Sequence, residues 1–202
     1  GSNPADIVSP VIYDEFGREQ YKYMPYVSAD NNGLFKTNPF NEQKTFLQSQ
    51  YPGEQVFYSK TNFEASPLNR PLKTMAPGNS WAGSNNGVQM EYLINTAADE
   101  VRIWDIGNDL INFDNNVPIS TAAYPAGELY KHKTIDEHNN AVIEYKDKEG
   151  KVILKKVQLD ATPGEGHSGW LCTYYVYDDL NQLRFVIPPK AVAVLAQPAV
   201  NW

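Results

Sequence analysis

One short pattern recurs five times in this chain and limits what the chain can fold into. Each copy has an aromatic or branched residue, an acid one or two residues after it, a spacer, and then a Gly or Asn. Gly and Asn tolerate the positive backbone φ that closes a tight hairpin, and the acid is expected to accept hydrogen bonds from amides of the turn. The pattern therefore predicts five reversals between antiparallel strands. The copies occupy residues 13–18, 63–70, 135–140, 145–152 and 177–183.

The residues assigned to these turns are expected to be structural. The aromatic ring should pack on a sheet face, and a hairpin that cannot bury its own face needs neighbouring strands beside it. The assigned residues are Tyr13, Asp14, Gly17, Phe63, Glu64, Asn69, Tyr145, Gly150, Tyr177, Asp178 and Asn181.

Hydrophobic alternation with a period of two supports strands between the turns. Thirteen tyrosines, together with valine and isoleucine, suit pleated surfaces. Residues 141–157, with a turn at 147–150, form the clearest hairpin. Residues 101–106 are apolar on both faces, which predicts a central strand.

One stretch is typical of a helix instead. Residues 41–50 contain good helix formers and neither Gly nor Pro, and Asn38 or Asn41 is expected to cap them. Tyr51-Pro52-Gly53 should end this helix, and a second helix is expected to begin near Lys190.

These patterns together predict an all-β fold. Antiparallel hairpins, or a meander of the repeated units, should form extended sheets, with one or two short helices. Residues 3–189 are expected to form a single domain, and residues 190–202 the start of a further element. Gly1 and Ser2 resemble a remnant of tag removal.

Composition excludes several classes of function. The chain has seventeen basic and twenty-four acidic residues, which gives a net charge of −7. An acidic chain of this kind is not expected to bind the phosphate backbone of a nucleic acid. No apolar run approaches the ~18 residues that a membrane span needs, and no signal-peptide pattern is present. The single cysteine, Cys172, has no partner for an intramolecular disulfide and is expected to be a buried, inert thiol.

Candidate metal ligands are few. His132 and His138 are six residues apart, whereas two ligands on one strand face are usually two apart, and no cysteine clusters with them or with His167. The oxygen-rich loop at residues 105–116 lacks the order of acids and the central glycine of an EF-hand. No metal or cofactor is therefore assigned, a solvated turn is expected at 105–116, and calcium binding there is left open.

Candidate catalytic motifs are incomplete. Residues 166–169 resemble part of a nucleophile elbow, but Trp170 occupies the position of its last glycine. Asp136-Glu137 and Asp178-Asp179 are carboxylate pairs of the kind that hydrolyse glycosides, yet their acids already have a role in turns. No catalytic residue is assigned, and an enzyme is not predicted.

Exposed aromatic rings offer an alternative function. Trp81 and Trp170 lie in Gly- and Ser-rich loops, where they could stack on sugar rings, whereas Trp104 lies in an apolar strand and is expected in the core. The alternative hypothesis is therefore a module that binds carbohydrates or a cell surface.

The repeated units resemble YD repeats, the building block of RHS-repeat proteins, whose pattern is Tyr-x-Tyr-Asp-x-x-Gly-Arg-Leu. Residues 175–183 match it most closely, with Asn181 in the glycine position, and residues 11–19 keep both Gly and Arg. Two copies have Asn in place of Gly, and the copy at 63–70 is longer by two residues, which leaves open whether those copies keep a regular hairpin.

A narrower resemblance covers residues 11–189. The segments 58–70, 76–81 and 173–189 resemble the region of unknown function that precedes the repeat array in RHS proteins of some Gram-negative bacteria. This resemblance implies export or surface display, a β-sheet strip that coils into a shell, and often a variable toxin domain at the carboxyl terminus. The partners that it implies are the remaining repeats of a parent chain and possible cargo or surface glycans, and the expected role is a non-catalytic part of the shell.

Overall fold

Antiparallel strands are the main secondary structure of this chain in a computed structural model, which describes residues 5–107, 116–197 and 202. The all-β prediction is confirmed, with two α-helices added to the strands. The strands are β1 (Ile7–Val8), β2 (Tyr21–Tyr23), β3 (Tyr26–Val27), β4 (Tyr58–Phe63), β5 (Pro71–Met75), β6 (Val88–Ile94), β7 (Arg102–Ile106), β8 (Pro118–Ala123), β9 (Tyr130–Ile135), β10 (Ala141–Lys146), β11 (Val152–Gln158), β12 (Trp170–Tyr177) and β13 (Leu183–Ile187). The helices are α1 (Pro39–Gln50) and α2 (Pro189–Leu195).

The chain divides into two compact units, residues 1–90 and residues 91–202, where the sequence predicts one domain over residues 3–189. In the first unit the strands lie in the order β2-β4-β5-β6, and every pairing is antiparallel. Strands β1 and β3 form a separate antiparallel pair. The core of this unit contains Tyr26, Leu47, Phe57 and Met75.

Helix α1 packs against β3 in the first unit and confirms the predicted helix. It begins at Pro39, two residues before the predicted start, because proline suits the first turn of a helix. Asn38 is the capping residue, as expected, but its side chain accepts a hydrogen bond from the Asn41 side chain instead of from a backbone amide (2.9 Å). The buried Gln43 donates from its amide nitrogen to two backbone carbonyls, which fixes the helix on the unit.

In the second unit, β9 to β13 pair antiparallel in chain order, so they form a meander. The predicted hairpin at 141–157 is confirmed as β10 and β11. Tyr145 pairs with Leu154, and Leu154 pairs with Tyr174 on the next strand. All three side chains are completely buried, so this row across three strands forms the centre of the core.

Residues 101–106 are not a central strand, which corrects the expectation from the sequence. β7 lies in a two-stranded sheet with β8. Val101 is 1% exposed, and Trp104 and Ile106 pack against the core of the second unit, so the apolar character comes from this packing and not from strands on both sides. Of the oxygen-rich loop, residues 108–115 lie outside the described residues.

The second predicted helix is confirmed as α2, which packs on β12. The side chain of Val192 is 1% exposed and belongs to the same core as β10 to β12. Residues 189–195 therefore add to the second unit, although the sequence pattern separates them from the preceding domain. Within the described part of the chain, neither helix is long and apolar enough to cross a membrane.

Candidate functional site

The five repeated turn units are the best-defined feature of the structure. The hydrogen bonds of Asp147 illustrate their geometry. Its backbone N–H donates to the carbonyl of Lys151 (3.0 Å), and the N–H of Gly150 donates to the carbonyl of Asp147 (3.1 Å). Its carboxylate Oδ1 accepts the N–H groups of Glu149 and Lys151, both at 2.9 Å. One acid thus satisfies two amides that the strand ladder leaves unpaired.

Three other copies repeat these bonds. Asp14, Asp136 and Asp178 each use Oδ1 to accept the amides two and four residues later, at 2.8 to 3.0 Å. Their backbones close the same two hydrogen bonds. These acids therefore have the role that the sequence assigns to them.

The residue three positions after the acid lies in the left-handed region in every one of these four turns. The φ angles are 75° at Gly17, 65° at Asn139, 86° at Gly150 and 60° at Asn181. Asn is the side-chain residue that adopts this region most readily, so the copies with Asn keep the hairpin. A register shift of the bulge type precedes the acid at residues 145–146 and at 176–177, as expected where one strand carries an extra residue.

The copy at residues 63–70 reaches the same geometry with a longer loop. Ser66 takes the place of the acid, because its carbonyl accepts the N–H of Asn69 and its Oγ accepts the N–H of Leu68, both at 3.2 Å. Asn69 has a φ of 52°. Glu64 reaches across the two extra residues and accepts the N–H of Arg70 (3.2 Å). The insertion is absorbed, and β4 and β5 still pair up to Phe63 and Pro71.

The aromatic positions differ in burial. Tyr145 is completely buried, and Phe63 and Tyr177 are half-buried, as expected for rings on a sheet face. Tyr13 is 66% exposed and corrects that expectation. Among the residues that the structure describes, its arm of the turn pairs through one isolated bridge at Val11, so the ring has no sheet face beneath it there.

Electrostatics favour the charged form of Asp14, Glu64, Asp136 and Asp178. Hydrogen bonds from the Arg70 side chain lower the pKa of Glu64 to about 2, although partial burial opposes the shift. For Asp136 and Asp178, bonds from the turn itself lower the pKa below its usual value. For Asp14, burial raises the pKa, but the bonds from Arg18 and Phe16 outweigh it.

A buried charge network in the second unit has no counterpart in the sequence motifs. Asp99 is 1% exposed, and its Oδ1 accepts from Lys131 Nζ and from the Tyr145 hydroxyl, both at 2.7 Å. Its Oδ2 accepts the N–H of Thr96 (2.7 Å). Burial acts to raise the pKa of Asp99, but these bonds hold it below the usual value.

Lys156 is completely buried next to this network. Its Nζ donates to three backbone carbonyls, of Asp99 (3.1 Å), Glu165 (2.8 Å) and Gly166 (2.7 Å). Burial lowers its pKa to about 8. Because all three N–H donors are used, the ammonium group cross-links the loop at 159–169 to the short helical turn Ala97–Asp99. An isolated Lys in an alternating strand gives no signal for this role.

The three histidines lie in different surroundings. The Nε2 of His167 lies 2.8 Å from the hydroxyl of Tyr174, which accepts the backbone N–H of Arg102 (2.9 Å), and burial lowers the pKa of His167 to about 4. His132 meets the ring of Tyr92 edge-on, and the N–H of His138 belongs to the Asp136 turn. In residues 5–107, 116–197 and 202, no three His, Cys, Asp or Glu side chains come together as a metal site would require.

The other residues singled out in the sequence, Cys172, Trp81 and Trp170, are buried or half-buried. Cys172 is 2% exposed, and burial raises its pKa to about 11. Trp81 is half-buried in the first unit and lies against Gly78. Trp170 is half-buried in the second unit, and its indole N–H donates to the carbonyl of Gly164 (2.7 Å). The alternative hypothesis of a carbohydrate-binding module needs Trp81 and Trp170 as exposed rings, and both rings are half-buried.

Comparison with known proteins adds one finding and two negative results. No curated protein matches this chain, and no solved structure matches it. Residues 1–94 match the family model of a domain of unknown function, DUF6443.

Proposed function

We propose that this chain is a non-catalytic structural segment of an exported RHS/YD-repeat protein, where it begins or caps a β-sheet shell that encloses or displays another domain. The observation that carries the proposal is the repeated turn, in which an acid at the same position forms the same bonds in four copies, and Ser66 with Glu64 replaces it in the fifth.

The chemistry of the turns supports a scaffold over a catalyst. A carboxylate that acts as an acid or a nucleophile needs an oxygen that faces a substrate and a pKa matched to its task. Here Oδ1 of Asp136 and Asp178 is occupied by two turn amides, and the pKa of each is lowered. These groups stabilise strand reversals and are poorly suited to proton transfer.

The edge of the second unit's sheet supports growth by further hairpins. β13 is the outermost strand there among the described residues, and it follows directly on the Asp178 turn. Leu183 and Val186 on this strand are 50% and 51% exposed. An outermost strand of this kind presents backbone N–H and C=O groups that an added strand can pair with.

The proposal is tested by the structure of the complete parent protein, obtained by cryo-electron microscopy. We expect β13 to pair with a strand from the following repeats, so that β9 to β13 continue into the wall of the shell. A parent protein in which β13 faces solvent and residues 91–202 form a separate domain would overturn the proposal.

A further inference from the structure

Two of the turns receive a basic side chain from the turn that lies beside them on the same end of the sheet. In both cases the donor is the fifth residue of its own turn, counted from the acid. The two pairs lie in different units, so each is an independent example of the arrangement.

In the first unit the donor is Arg18, which follows Gly17 in the Asp14 turn. Its guanidinium pairs with its own acid, Asp14 (Nε to Oδ2, 2.8 Å). It also lies over the ring of Phe63 (5.1 Å) and donates from Nη1 to Oδ1 of Asn69 (3.2 Å). Phe63 directly precedes Glu64 of the neighbouring turn, and Asn69 is the left-handed residue of that turn.

In the second unit the donor is Lys151, which follows Gly150 in the Asp147 turn. Its ammonium group pairs with its own acid, Asp147 (Nζ to Oδ2, 3.2 Å). It lies over the ring of Tyr177 (5.5 Å) and donates to Oδ1 of Asn181 (2.5 Å). Tyr177 precedes the acid of the neighbouring turn, and Asn181 is its left-handed residue.

Antiparallel pairing explains why both donors find the same partners. The strand that leaves the first turn of each pair is hydrogen-bonded to the strand that enters the second turn, as β2 is to β4 and β11 is to β12. When this register is continued toward the turns, the fifth residue of the first turn lies beside the aromatic residue that ends the entering strand. A long cation at this position reaches the ring and, just beyond it, the left-handed residue.

We propose that the fifth-position cation is a clamp between neighbouring turns, and that Asn69 and Asn181 are its acceptors and not merely substitutes for glycine. The clamp combines a charge-assisted hydrogen bond to the Asn side chain with a cation–π contact to the aromatic ring. Glycine in place of Asn would remove the hydrogen bond and leave only the cation–π contact. Within the described residues, no backbone-to-backbone hydrogen bond joins the two turns of a pair. The clamp does not depend on whether the chain is part of a shell.

Substitution by glycine separates the two explanations. Glycine adopts the left-handed region at no steric cost, so Asn181→Gly keeps the turn and removes only the acceptor. Asn139 is the matched control, because its φ is 65°, its backbone N–H closes the same turn bond to Asp136, and, within the described residues, no basic side chain from another turn is bonded to it. If Asn only replaces Gly, both variants should be neutral or more stable than the parent sequence.

The measurement is urea denaturation of the whole chain, followed by circular dichroism, for Asn181→Gly and Asn139→Gly with and without Lys151→Met. We expect Asn181→Gly to raise the unfolding equilibrium constant about two- to fivefold, the range of a cross-strand pair, while Asn139→Gly does not raise it. In the Lys151→Met background, Asn181→Gly should behave like Asn139→Gly. Equal effects of the two Asn substitutions, or the same effect of Asn181→Gly in both backgrounds, would overturn the clamp. Asn69→Gly with Arg18→Met repeats the test in the first unit.

Discussion

At the residue scale, the carboxylates of the turns determine how the stability of this protein should depend on pH. Their oxygens accept backbone amides and basic side chains in the folded state, and these bonds are lost on unfolding. The folded state therefore holds the pKa values of Asp14, Glu64 and Asp178 below the values of the unfolded chain. A group of this kind stabilises the fold above its unfolded pKa and loses that contribution as the pH falls through its folded pKa.

We therefore expect the free energy of unfolding to fall as the pH drops from about 4.5 toward about 2, the window set by the usual pKa of Glu and the folded value of Glu64. Urea denaturation across this range measures it, and Glu64→Gln should reduce the slope because it removes one of the titrating groups. A free energy of unfolding that stays constant over the window would contradict this account of the turn acids.

The sequence predicts the roles of individual turn residues well, because those bonds are local. Asp147 bonds to residues two and four positions later, so its environment is visible in a window of a few residues. Lys156 is different, since its carbonyl partner at Asp99 is 57 residues away. A side chain whose partners are distant in the chain leaves no pattern for a sequence to show.

At the scale of the element, β11 alternates from Leu154 to Val157 between a buried face and a more open one. Leu154 is completely buried between Tyr145 and Tyr174, whereas Val157 on the other face is 37% exposed. Removing a buried side chain costs both its transfer free energy and the cavity that remains.

We expect Leu154→Ala to lower the free energy of unfolding by about 2–5 kcal/mol. Val157→Ala, the matched control on the same strand, should lower it by less than about 1 kcal/mol because its side chain already contacts water. Thermal or urea denaturation distinguishes the two variants. A similar cost for both would mean that the two faces of β11 are not buried as described.

Strands and helices could be predicted from the sequence where a local pattern of residues determines them. The hairpin at 141–157 and helix α1 follow from alternation and from helix-forming residues. β7 shows the limit, because Trp104 and Ile106 are apolar for a reason that lies in tertiary packing. The apolar pattern of a strand indicates that a face of the strand is buried. It does not indicate whether that face packs against another strand or against the core of the unit.

At the scale of the whole molecule, the outermost strand β13 leads us to expect self-association. Unpaired strand edges with exposed apolar side chains template pairing between chains, and a lysine on the edge prevents it. We expect sedimentation velocity to show association that grows with concentration, and Val186→Lys to reduce it. Leu159→Lys adds the same charge at an exposed position beyond the end of β11 and should leave the association unchanged. A chain that stays monomeric at high concentration would count against this view of β13.

The organisation of the molecule was only partly visible in the sequence. The five turn units and the meander of β9 to β13 follow from the repeated pattern. The division at residues 90 and 91 falls inside β6, where alternation continues without a break, so no local signal marks it.

The central claim is that the acid of each unit exists to build a strand reversal. Asp178 and Asp179 test it most directly, because they are adjacent and carry the same group. Asp178 accepts the amides of Leu180 and Gln182 at 3.0 and 2.9 Å, whereas Asp179 is exposed and, within the described residues, makes no hydrogen bond through its carboxylate.

The measurement is the midpoint of urea denaturation for Asp178→Ala and Asp179→Ala. We predict a clear drop for Asp178→Ala and a midpoint within error of the parent sequence for Asp179→Ala, since only the first leaves turn amides without their acceptor. Equal midpoints for the two variants would show that the acid is dispensable for the turn, and its purpose would then have to be sought in binding or catalysis.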